Sequence, residues 1–357
     1  MKREALVAKE YDSNFFADDK IGSYDVKYYN VKGAPFRVYG VWHDGERFVR
    51  VPKEIAPKIS VGMTQAYSSA SGGRVRFITD SPYIAVKEVF ALVGKNEATP
   101  LSATAAIEMS VDGEFGGVFR TSSDFCAEFH VGVTDIRKGE GEHIITLYMP
   151  THSHLSDLYV GIAPGAKLMQ APDYKYEKPV VFYGSSITHG TGATRSGNSY
   201  PAQISKRIDM NFINLGFGGL AKGEAAMAEY IATLDMSALV YDYDFNAPSK
   251  EHLRRTHEPF FKIIREKQPN LPIIMTSRPC SFRTGEADTA DRFAIIKATY
   301  DNAKAAGDEN VYIVNGLEFF PEYGPECTVD GTHPNDFGYR YMAEKLSPIL
   351  KAILDKR

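Results

Sequence analysis

Three residues in the second half of this chain have the types needed for acyl transfer. Ser186 closes the run Val180-Val181-Phe182-Tyr183-Gly184-Ser185, where a short apolar segment gives way to a small-residue turn. Asp330 and His333 stand near the C-terminus in Asp330-Gly331-Thr332-His333. A serine hydroxyl is a weak nucleophile at neutral pH, and imidazole is the side chain that titrates in the range needed to take its proton. A carboxylate on the second ring nitrogen fixes the tautomer and stabilises the imidazolium that forms. The assignment is Ser186 as nucleophile, His333 as base and Asp330 as its orienting partner.

The intermediate of such a reaction carries negative charge on the former carbonyl oxygen, and each preorganised donor there lowers the barrier by roughly 3–4 kcal/mol. Glycine lets a backbone N–H approach without obstruction, and an asparagine amide adds a neutral donor. Gly219, in Asn214-Leu215-Gly216-Phe217-Gly218-Gly219, and Asn246, in Asp242-Tyr243-Asp244-Phe245-Asn246-Ala247, complete an oxyanion hole with the Ser186 N–H. Gly216 and Gly218 compete with Gly219 for that role. Each residue also has a plainer use: Ser186 as a turn serine, His333 as the start of a helix before Pro334, Asp330 as a turn former, Gly219 as a positive-φ turn, Asn246 as a helix cap. Arg278-Pro279 reads as a loop with an exposed arginine, with substrate contact as the alternative. His189 either lines the pocket or is solvated, and Trp42 reads as core packing, with a sugar-stacking face as the alternative. His152 and His154 lack a third ligand, so no metal is assigned.

The elements that must position these groups follow a βαβ pattern after about residue 176. Apolar strands Val180–Tyr183, Phe212–Leu215, Ala238–Tyr243, Ile273–Thr276 and Val311–Val314 alternate with helix-period stretches, the signature of a parallel sheet covered by helices. Ligands bind beyond the carboxyl ends of such strands, where Ser186, Gly219 and Asn246 fall. The last helix shows Met342, Leu346, Ile349, Leu350 and Ile353 on one face. Pro348 predicts a kink or break within it. From about residue 20 to 165 the apolar residues alternate instead, as in Arg74-Val75-Arg76-Phe77 and Ile107-Glu108-Met109-Ser110-Val111. Period two argues strands with one solvated face. Asp44-Gly45 and Asp112-Gly113 suit tight hairpins. An antiparallel, jelly-roll-like β-sandwich domain over residues 1–170 is expected, joined through a proline-rich stretch to an α/β domain over residues 171–357.

The four blocks Gly184-Ser185-Ser186, Gly219, Asn246 and Asp330-Gly331-Thr332-His333 stand in the order seen in the SGNH hydrolases, the GDSL-like esterases, which the chain resembles. That resemblance implies a flavodoxin-like three-layer α/β/α fold and maps the family's roles onto Ser186, Gly219, Asn246, Asp330 and His333. The upstream half is similar to the β-sandwich that precedes the hydrolase in one subgroup, with Ser156-Asp157-Leu158-Tyr159 matching its Gly-x-Asp-Leu-Tyr motif except that Leu155 replaces the glycine. Two further departures lie beside the site. Ser185 replaces the aspartate of the Gly-Asp-Ser turn, and Asp244-Phe245-Asn246-Ala247 replaces Gly-x-Asn-Asp.

At 357 residues with 43% hydrophobic residues the chain can fill two cores. A formal charge of −4 from mixed residues of both signs gives no reason to expect nucleic acid or an anionic membrane as partner. Cys126, Cys280 and Cys327 include no CxxC pair, and Met1–Glu10 lacks the apolar core of a secretory leader, so a cytoplasmic protein is expected. The expected activity is that of a serine esterase acting on short acyl esters, O-acetyl foremost, of carbohydrates or similar polar alcohols, with no cofactor. Its rivals are an acyltransferase using the same site and a glycan-binding protein with an inactive hydrolase half. The role of the sandwich, shaping the active-site mouth or forming a homo-oligomer, is left open.

Overall fold

The structure is a computed structural model that describes residues 20–21, 23–119, 129–279, 282–320 and 324–356; Met1–Glu10, Cys126 and Cys280 lie outside the described residues. The chain divides into two compact units. One comprises Met1–Arg50, Ser68–Asp173 and Arg195–Gly197, and the other Val51–Tyr67, Tyr174–Thr194 and Asn198–Arg357.

The first unit is built on two antiparallel sheets. Its strands are β1 (Lys27–Asn30), β2 (Arg37–Tyr39), β3 (Arg74–Thr79), β4 (Tyr83–Leu92), β5 (Glu108–Val111), β6 (Glu114–Val118), β7 (Phe129–Asp135), β8 (His143–Tyr148), β9 (His154–Ile162) and β10 (Leu168–Met169). One sheet runs β6-β5-β8-β3-β10 with β2 also on β3, and the other runs β7-β4-β9-β1. Alternate residues of both sheets, Val75, Phe77, Ile145 and Leu147 from one and Ile84, Val86, Leu158 and Val160 from the other, fill a common core. The Asp112-Gly113 turn joins β5 to β6 with both residues at positive φ, 51° and 82°, as a two-residue hairpin demands.

The expected solvated face is not found on β3 and β5. Arg74, Arg76, Glu108 and Ser110, the polar partners in the alternation, are all buried. A carboxylate cannot be buried without partners, and Glu108 accepts the Gly197 N–H at 2.8 Å and lies 3.5 Å from Arg195 Nε. Trp42 also departs from expectation. It lies on a short hairpin strand at 38% exposure rather than in the core.

The second unit carries a five-stranded parallel sheet of β11 (Tyr176–Gly184), β12 (Met210–Gly216), β13 (Ala238–Asp242), β14 (Ile273–Thr276) and β15 (Val311–Val314), in the order β12-β11-β13-β14-β15. The central strands are apolar without alternation because helices cover both faces. These helices are α1 (Ser186–His189), α2 (Tyr200–Ile208), α3 (Ala225–Ile231), α4 (Lys250–Lys267), α5 (Glu286–Ala305) and α6 (Asp336–Leu354). α2 packs with α6, and α4 with both α3 and α5. Helix α6 runs unbroken through Pro348. Interior proline costs about 3 kcal/mol; burial of Tyr339, Met342, Leu346, Leu350, Ile353 and Leu354 offsets it. Among the described residues, no helix is long and apolar enough to cross a membrane.

Candidate active site

Strand β11 is buried along Val180–Tyr183 and stops at Gly184. There the chain turns into α1, with the Ser185 hydroxyl accepting the Ile187 N–H at 3.2 Å as N-cap. Ser185 thus supports the turn by capping, where a Gly-Asp-Ser sequence would place a carboxylate. The carboxylate comes instead from the end of the neighbouring strand. Asp242 is buried and accepts hydrogen bonds from Thr188 Oγ1 at 2.6 Å and Tyr200 OH at 3.3 Å. Gly184 is required beside it, because a Cβ there would lie 1.9 Å from Asp242 Oδ1.

On the other side, Asn335 caps α6 by accepting the Phe337 and Gly338 N–H groups at 3.1 and 3.0 Å, so His333 is not used as a cap. The His333 loop is closed by Val329 N–H donating to His333 O at 2.8 Å. Helix α6 then reaches back to the Ser186 turn: Tyr339 OH lies 3.0 Å from Ile187 O and 2.7 Å from Thr191 O, and Asp336 accepts the Thr194 N–H at 2.8 Å.

These supports bring three of the assigned residues into one chain of hydrogen bonds. Ser186 Oγ lies 2.9 Å from His333 Nε2, and His333 Nδ1 lies 2.8 Å from Asp330 Oδ2. Asp330 also forms a turn, its Oδ1 accepting the Thr332 and His333 N–H groups at 2.9 Å each. Burial acts to raise the Asp330 carboxyl, but the His333 backbone and ring and the Thr332 N–H outweigh it and hold it below the ordinary carboxylate range. Such a chain can move a proton from a hydroxyl to a ring while the carboxylate stays charged.

Gly219 and Asn246 are also brought together, by a bond between them. The Gly219 N–H donates to Asn246 Oδ1 at 3.2 Å, and Asn246 Nδ2 donates to Phe217 O at 2.9 Å, which leaves its second N–H. Gly219 adopts φ +70°, the left-handed conformation glycine allows. Asn246 does not cap α4, since Ser249 does so through the His252 N–H. Arg278 is a correction. It is buried rather than exposed, paired with Asp288, and its guanidinium lies 5.1 Å from the centre of the Phe245 ring. His189 is buried and not solvated.

Over residues 177–351 the sequence matches the GDSL-like Lipase/Acylhydrolase family, and over residues 26–168 the GxDLY domain that forms the N-terminus of SGNH-hydrolase-type esterases. The chain belongs to the SGNH hydrolases. The GxDLY match holds although Leu155 replaces the glycine. Among solved structures, this hydrolase is similar to a GDSL-like protein of Bacteroides ovatus ATCC 8483, at 26% identity and TM-score 0.83 over 93% of this chain and 98% of that one. A salicylyl-acyltransferase from a tetracycline biosynthetic pathway matches at 23% identity and TM-score 0.75, over 92% and 97%. An acetyl xylan esterase from the rumen bacterium Butyrivibrio proteoclasticus matches at 14% and 0.63, over 92% and 99%. Curated proteins include no match. The hydrolase is an SGNH/GDSL-family serine ester hydrolase.

Asp242, Thr188 and Tyr200 were not singled out from the sequence. Burial raises the Asp242 carboxyl to about 7, with Asp244 adding to the rise and the hydrogen bonds from Thr188, Tyr200 and the Ser185 backbone opposing it. The folded-state value lies above the unfolded one, so ionising Asp242 weakens the fold increasingly as pH rises from about 4 to about 7, by at most about 4 kcal/mol. Asp242→Asn cannot ionise. The melting temperature of the variant relative to wild type is therefore expected to climb across that pH window and level off above it; a difference independent of pH would contradict the shift.

Proposed function

We propose that this SGNH hydrolase removes short acyl groups, acetyl foremost, from carbohydrates or similar polar alcohols by way of an acyl-enzyme on Ser186. The observation that carries the reading is the hydrogen-bonded chain Ser186–His333–Asp330. His333 Nε2 takes the hydroxyl proton as Ser186 Oγ bonds to the ester carbon. Collapse of the tetrahedral intermediate breaks the bond to the alcohol oxygen, which leaves with the proton returned by His333. Water, deprotonated by His333, then attacks the acyl-enzyme, and the second collapse restores Ser186 and releases the acid. Asp330 keeps Nδ1 protonated and Nε2 free to accept. The Ser186 N–H, the second Asn246 N–H and the Gly219 N–H, once it exchanges Asn246 for the substrate oxygen, hold the oxyanion. No metal or organic cofactor enters these steps.

The likeness to an acetyl xylan esterase supports the acyl and alcohol classes as an analogy of fold. The test is hydrolysis of p-nitrophenyl esters from acetate to octanoate. Acetate is expected to exceed octanoate in kcat/KM by about tenfold or more; preference for octanoate would overturn the short-acyl reading. The likeness to a salicylyl-acyltransferase favours a second reading, transfer to an alcohol other than water. Partition of the acyl-enzyme between water and added alcohols separates the two. A purely glycan-binding role would give the hydrogen-bonded Ser186–His333–Asp330 chain no task.

A further inference from the structure

The third sequence block lacks the aspartate that usually follows its asparagine, and Ala247 offers no polar side chain in its place. The structure supplies support from another element. Asp288 and Arg292 lie on one face of α5, where Asp288 pairs with Arg292 Nε at 2.9 Å and with Arg278. The buried Arg292 guanidinium then donates from Nη1 to two backbone carbonyls, Asp244 O at 2.7 Å and Ala247 O at 3.1 Å. These carbonyls bracket Asn246 on both sides. Arg278, held by the same carboxylate and by Thr289 Oγ1 at 3.2 Å, faces the Phe245 ring within that bracket.

We propose that Arg292, anchored by Asp288, is a positioning residue for the oxyanion hole: it fixes the turn Asp244–Ala247 so that the Asn246 amide keeps its bond to Phe217 and presents its remaining N–H to the reacting carbonyl oxygen. The inference rests on the oxyanion role proposed for Asn246. A guanidinium suits the task because its nitrogens are fixed in one plane, so Nε can hold the carboxylate while Nη1 serves two acceptors. An ammonium offers a single nitrogen on a flexible stem and cannot hold all three at those positions. A displaced donor weakens transition-state binding more than ground-state binding, because the full charge develops only there.

The test is a double-mutant cycle on the full chain with a p-nitrophenyl ester, combining Arg292→Lys with Asn246→Ala. Asn246→Ala alone is expected to lower kcat by about 10²–10³-fold. Arg292→Lys is expected to lower kcat by about 10–100-fold with KM within about twofold. In the Asn246→Ala background the same lysine substitution is expected to change kcat by less than about threefold, because the donor it positions is gone. Fully additive losses, or wild-type kcat in Arg292→Lys while Asn246→Ala falls, would overturn the positioning role and leave the function standing. An undiminished kcat in Asn246→Ala would remove the oxyanion assignment, and this inference with it. Asp288→Asn, which keeps the guanidinium but neutralises the partner of its Nε, gives a smaller fall in kcat with the same dependence on Asn246. It serves as the second arm if Arg292→Lys melts well below wild type.

Discussion

Ser186→Ala is expected to lower kcat on any ester substrate by about 10⁴–10⁶-fold while the protein melts close to wild type. The fold should tolerate the change because the hydroxyl's hydrogen bond is to His333, and the turn is held by other groups: the Ser185 cap, Gly190 at φ +105°, and Tyr339 OH on the Ile187 carbonyl. Activity should not tolerate it, since the neighbouring Ser185 hydroxyl is engaged in capping the Ile187 N–H. Thr188 is turned to Asp242 and is buried. A residual rate above water is expected from the oxyanion donors. His333→Ala added to Ser186→Ala should therefore cost little more, as residues that act as one unit are not additive. Steady-state rates with a fluorophosphonate label read by mass spectrometry check both points. The label should sit on the Ser186 peptide and be absent from the variant; a variant retaining more than about 1% of the rate would remove Ser186 from the nucleophile role.

The parallel sheet was legible because its strands are short, apolar and covered on both faces: Ile273–Thr276 and Val311–Val314 were bounded to the residue. The meeting of Ser186, Asp330 and His333 was legible because residue type and block order together point to one chemistry. What stayed hidden depends on distant partners. The alternation in Arg74-Val75-Arg76-Phe77 records which residues are polar but not what covers them, and Glu108 is buried because Arg195 and Gly197 come to it from far along the chain. Arg278 looked like a loop arginine because its partner Asp288 begins the next helix. Asp242 carried one local signal, a carboxylate closing an otherwise apolar strand, and such a residue has few ways to be satisfied other than by hydroxyls from the adjacent turn. Pro348 does not break α6, because local propensity is outweighed when a whole helix face is buried.

Asp330→Asn is expected to lower kcat by about 10³–10⁴-fold with a modest effect on KM. The amide can keep the turn, since its oxygen can still accept the Thr332 and His333 N–H groups that Oδ1 accepts in wild type. Its nitrogen then faces His333 Nδ1, where wild type has an acceptor 2.8 Å away. A donor facing Nδ1 selects the imidazole tautomer protonated on Nε2, and that nitrogen can no longer receive the Ser186 proton. The loss is thus one of protonation pattern rather than of structure. It should persist across neutral and alkaline pH instead of being rescued by raising pH. In wild type the hydrogen bonds hold the Asp330 carboxyl below its ordinary range, so its contribution to stability is present above the unfolded-state value and is lost only as pH falls through the depressed folded one. A pH–rate profile of both proteins, with melting curves over the same range, checks the argument: Asp330→Asn activity approaching wild type at high pH would show that the carboxylate tunes the base without setting its tautomer.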